Sequence, residues 1–116
     1  MTLQAFNELM AFQRDTEALA QIAGRLSWDQ ETMMPRGAAD QRSDERAAME
    51  AVLHQRRIDP RVRDWLEAIP TDGLSEQDRA KLRLIRRDHD RAAKVPERLA
   101  SEIARTVSRG HVTWAE

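Results

Sequence analysis

From Leu3 to about Met33 no proline interrupts the chain, and its apolar residues recur in steps of three and four. Leu9, Phe12, Thr16, Leu19, Ala23 and Leu26 form the stripe, with Phe6 and Ile22 widening it. That period places them on one face of a single helix opening after Thr2, a residue suited to cap it. At ~1.5 Å per residue the helix is about 45 Å long. A compact chain of 116 residues has a radius of gyration of roughly 13 Å, too small to enclose such a rod. Other elements must therefore lie along it. No segment alternates apolar and polar residues long enough to form a strand. The expected fold is all-α, with about five helices, two of them long, in a single region spanning 1–116.

Pro35 and Gly37 end the first helix. A second is expected from about Ala38 to Arg57, with Ala47, Ala48, Ala51 and Val52 as small contacts. Asp59-Pro60 is a cap followed by proline at the first helical position, and it opens a short third helix. Val62, Trp65, Leu66 and Ile69 form that helix's apolar face, and Pro70 ends it. Ser75 and Asp78 make a pair resembling a capping box, starting a fourth helix through about Ala93. After Val95-Pro96 a fifth helix places Leu99, Ile103, Val107, Gly110 and Trp114 at steps of four, four, three and four. No stop follows this stripe. With the overlong first helix, that suggests the N-terminal helical part of a larger α protein.

Composition narrows the function classes. Seventeen alanines inflate the 41% hydrophobic fraction, so the core is thin and its helices approach closely. No apolar run approaches the ~20 residues needed to span a bilayer, and no signal pattern opens the chain. Without cysteine there is no disulfide framework, thiolate nucleophile or thiolate metal site. A cytoplasmic location is expected, with no membrane. A formal charge of −1 argues against nucleic acid as a partner. Basic residues do gather around Arg83, Arg86, Arg87 and Arg91, but Asp88 and Asp90 interrupt them, as on a solvated helix face.

Candidate metal ligands are few. Glu50 and His54 lie one helical turn apart, but two ligands do not make a catalytic zinc site. Asp88, His89 and Asp90 are adjacent on a helix and diverge by about 100° each. No His-Glu-x-x-His motif, no triad signature and no glycine-rich phosphate loop occurs. The sequence therefore assigns no catalytic residue and no metal ligand to this chain.

One stretch is unusual for a helix end: Trp28-Asp29-Gln30-Glu31-Thr32-Met33-Met34-Pro35. It resembles the N-terminal Trp-Asp-x-x-Thr-x-Met-Pro signature of the Taq-type thermostable carboxypeptidases. The long helix upstream, Gly37-Ala38, the segment Leu82 to Arg87 and Lys94-Val95-Pro96 resemble the same family, so the similarity covers essentially the whole chain. It implies an all-α, homodimeric metallopeptidase releasing amino acids singly from peptide C-termini. Zinc is held there by a His-Glu-x-x-His helix and a downstream glutamate, beyond position 116. The chain would then be the inactive N-terminal portion of such an enzyme. Trp28, Asp29, Thr32, Met34 and Pro35 carry over as signature positions with a structural role, Trp28 being expected buried. The alternative is a stand-alone helical protein-interaction module. On the first reading, the outer face of the first helix and the unpaired stripe of the fifth make a homo-oligomer the expected state.

Overall fold

The computed structural model describes residues 2–115, and of Thr2 the backbone alone. The cap expected of the Thr2 side chain lies outside the described residues. Five helices follow in order: α1 (Thr2–Thr32), α2 (Ala39–Arg57), α3 (Pro60–Ala68), α4 (Glu76–Ala93) and α5 (Glu97–Ala115). No strand occurs among the described residues. At 31 residues α1 stands apart from α2, α4 and α5, which have 18 or 19.

The helix ends have local causes. Beyond α1 the Met33 and Met34 amides both donate to the Asp29 carbonyl at 2.8 Å, and Gly37 turns the chain with a φ of 90°. The Asp59 carboxylate accepts from the Arg61 amide at 2.9 Å, with Pro60 opening α3 as the sequence predicts. The Ser75 hydroxyl accepts from the Asp78 amide at 3.1 Å. The Asp78 carboxylate lies 3.8 Å from Lys81, so only half of the expected capping box forms. Aspartate is one methylene shorter than the glutamate that normally reaches back.

The molecule measures 55 × 26 × 18 Å and its radius of gyration is 17.1 Å, above the compact-globule expectation. The cause is α1, which no 116-residue globule can enclose. Two packing regions divide its length. The first half of α1 meets α3 and the start of α4 through Ala5, Leu9, Phe12, Val62, Leu66, Ile69 and Leu82. The Trp65 ring tilts against Phe12 at 5.5 Å and its Nε1–H donates to Glu8 Oε2 at 2.9 Å. Arg56 locks α2 onto this region. Its guanidinium lies 3.9 Å from the Phe12 ring centre and donates to Thr16 Oγ1 and the Phe12 carbonyl. The second region is the α2–α5 pair, the most extensive helix contact in the molecule. Small buried positions line it: Ser43 and Ala47 on α2, Ala100 and Ser108 on α5. Small side chains at four-residue spacing let two backbones approach closely.

Candidate functional site at the end of the first helix

The signature stretch is held between α2 and α5 by polar bonds rather than apolar burial. Asp29 Oδ2 accepts from Arg42 Nη2 at 2.7 Å, and Arg42 Nη1 donates to the Leu26 carbonyl at 2.9 Å. A third bond runs from Arg42 Nε to Glu45. The Asp29 bond is the main reason the Arg42 guanidinium holds its proton more tightly than an ordinary arginine. Thr32 Oγ1 donates back to the Trp28 carbonyl at 2.8 Å, the Met34 amide closes onto Asp29, and the Pro35 carbonyl accepts from Ala38. Asp29, Thr32, Met34 and Pro35 thus act together in ending α1 and turning the chain into α2.

Trp28 departs from expectation: it is 63% exposed. The residues that face inward here are Leu26 and Gln30, each two positions away and so about 200° around the helix. Trp28 projects from the outer face of α1 instead.

Gln30, which nothing in the sequence singles out, is the best-connected residue of the stretch. It is buried, its Nε2 donates to the Ser108 carbonyl at 2.9 Å, and its Oε1 accepts from Ser108 Oγ at 3.0 Å and Arg46 Nη1 at 2.7 Å. One amide therefore ties α1, α2 and α5 together. The only signal at the level of spacing is a polar residue four positions after Leu26, on the stripe itself.

Two of the three histidines, His54 and His89, serve the scaffold. His54, in the last turn of α2, donates from Nε2 to the Ala92 carbonyl at 3.0 Å and to Val95 at the end of α4. His89, one turn before the end of α4, donates from Nδ1 to the Arg57 carbonyl, the last of α2, at 2.7 Å. Each helix thus caps the other's C-terminus, where carbonyls lack intrahelical partners. A carbonyl only accepts, so these nitrogens carry protons, and His54 Nδ1 and His89 Nε2 are buried without a partner. Glu50, the other candidate ligand, bonds Arg57 at 3.4 Å. Among the described residues no group of three or more His, Cys, Asp or Glu is placed to hold a metal ion. The basic stretch of α4 is likewise dispersed: Arg83 pairs with Glu76 at 3.5 Å, while Arg91 lines a cleft toward α5. Among the described residues no helix is long and apolar enough to cross a membrane.

An all-α scaffold carrying this signature at the end of a 31-residue first helix defines a class, and similarity to known proteins gives that class its name. The family model described as carboxypeptidase Taq (M32) metallopeptidase matches residues 8–116. Thermostable carboxypeptidase 1 of Thermus thermophilus is 38% identical over 117 residues, a match covering 97% of this chain and 23% of that protein. The chain belongs to the carboxypeptidase Taq (M32) metallopeptidase family. It spans about a quarter of the length of the curated relative it matches.

Proposed function

We propose that this chain is the N-terminal helical part of a zinc-dependent carboxypeptidase that releases amino acids from peptide C-termini, and that it supplies scaffold rather than catalytic groups. The observation that carries this reading is the collinear match over residues 8–116 to a metallopeptidase family, within a relative whose length is about four times greater. The fate of the ligand-type side chains supports it. Both buried imidazoles bond helix-end carbonyls, and Glu50 is taken by Arg57. These residues do not fit a zinc site. The His-Glu-x-x-His helix and its water-activating glutamate belong to the remainder of the enzyme. Cysteine-free composition suits a reducing cytoplasm.

The test compares this chain with the full product of its gene, both supplied with zinc. The reading expects C-terminal amino-acid release by the full product, with neither turnover nor stoichiometric zinc in the 116-residue chain. Peptide turnover by the purified chain, or one tightly held zinc per molecule, overturns it.

A further inference from the structure

A cleft of about 640 Å³ opens between α2, α4 and α5, within the size range of pockets that take small molecules. Its sides differ in kind. The α5 side is aliphatic, with Ile103 and Val107 standing 52% and 55% exposed. The α2 side is charged but committed: Arg57 bonds Glu50 at 3.4 Å, and Arg46 donates to Gln30 Oε1 at 2.7 Å. On the α4 side stand Asp88 and Arg91, both exposed. An aspartate and an arginine three residues apart on a helix can pair with each other. Here they do not. The ion pairs of α4 join Glu76 to Arg83 and Asp78 to Lys81, and among the described residues neither Asp88 nor Arg91 has such a partner. His54 also lines the cleft, buried, with its Nδ1 unpartnered. One free carboxylate, one free guanidinium and an aliphatic wall thus share a single cleft.

We propose that this cleft binds a free α-amino acid with a branched aliphatic side chain, its ammonium on Asp88, its carboxylate on Arg91 and its side chain against Ile103 and Val107. Charge balance selects this class. A simple anion drawn to Arg91 also meets Asp88 and Glu50, and a simple cation drawn to Asp88 also meets Arg46, Arg57 and Arg91. Like charges brought together in this way are unfavourable. A zwitterion answers both signs. It carries its two charges on one carbon, so a single small ligand can bridge side chains one helical turn apart. The planar guanidinium suits a carboxylate, which it can bind through two parallel N–H bonds. The α5 wall is aliphatic rather than aromatic, so it takes a branched chain by area burial and not by stacking. Binding of this kind needs no hydrolytic group, and it is independent of the functional reading above.

Isothermal titration calorimetry of the 116-residue chain with L-leucine tests the assignment. Saturable binding with a Kd of about 1 mM or tighter is expected. Isoamylamine is leucine without its carboxylate, and isocaproate is leucine without its amine. Each should bind about tenfold more weakly than leucine, as should glycine, which lacks the side chain. Asp88→Asn and Arg91→Gln should each weaken leucine about tenfold, with helical circular dichroism unchanged because both positions are exposed. Asp88→Asn should also close the gap between leucine and isocaproate, and Arg91→Gln the gap between leucine and isoamylamine. A general loss of structure produces no such pairing. Arg83→Gln, at the ion pair with Glu76, should leave leucine binding as it was. Absence of saturable leucine binding up to about 10 mM overturns the proposal. Binding of either single-charge analogue as tight as that of leucine overturns the zwitterion. Indifference of leucine to both Asp88→Asn and Arg91→Gln overturns the site.

Discussion

The two halves of α1 are packed by different physics. Its first half closes an apolar cluster with α3 and α4, in which Leu9 is fully buried and the large side chains point at one another. Its second half ends in a region whose buried residues include Gln30, Ser43, Ala47, Ala100 and Ser108, while many large apolar residues point outward. There Trp28, Met33, Leu99, Ile103, Val107 and Trp114 are all exposed. Apolar burial is non-directional and scales with area, so the first region is stable with what this chain supplies. The second depends on bonds with fixed geometry. Its apolar surface, left in water, contributes nothing until something covers it.

That contrast can be broken by substitution. Leu66→Ala, in the apolar cluster, should lower stability by about 2–5 kcal/mol in urea melts, because a buried leucine leaves a cavity as well as lost contacts. A loss under about 1 kcal/mol would show that α3 is only loosely docked. Gln30→Ala should cost about 1–3 kcal/mol, since it leaves Ser108 and the Arg46 guanidinium without their buried partner. If Arg46→Ala on top of it costs nothing more, the two act as one unit, as the shared oxygen predicts.

Trp28→Ala should shift stability of this chain by no more than about 0.5 kcal/mol, the range of surface substitutions. Its fluorescence should be quenched freely by iodide. A large loss would restore the buried tryptophan that the sequence suggested.

The smallest effect concerns the α3 cap. Arg61 bonds the Asp59 carboxylate and holds its proton affinity below the usual carboxylate range, helped by the Arg61 amide. A carboxylate depressed in the folded state stabilises above its unfolded value and loses that contribution as pH falls through the folded one. The stability gap between the parent chain and Asp59→Asn should therefore narrow below about pH 4. A gap that stays constant from neutral pH down to about pH 3 would remove the ion pair from this picture.

Where the sequence was legible follows the same division. The five helices, the Asp59-Pro60 start, the Ser75 cap and the inward face of α3 could all be read from local spacing and turn chemistry. Each depends on residues within a few positions of one another. In the apolar half, periodicity also identified the core, because an apolar face met an apolar face. In the other half Trp28, which lies off the stripe and was expected buried as a signature position, is exposed. Periodicity locates an apolar side chain on a helix but does not say whether anything lies opposite it. Gln30 and Ser108 were invisible for the converse reason, since a buried polar residue is recognisable only by a partner 78 positions away. The crossed histidine caps likewise join residues 32 to 41 apart, a distance at which single-sequence spacing is silent.

The most direct test of this division is a matched pair of truncations in the 116-residue chain: Leu9→Ala in the apolar cluster and Ile103→Ala on the α5 face, compared by equilibrium urea unfolding. Both remove large aliphatic side chains from helices. The expected outcome is a loss of about 3 kcal/mol or more at Leu9 and a change within about 0.5 kcal/mol at Ile103. Comparable losses at the two positions would contradict it, showing that the α5 face is already part of a closed core.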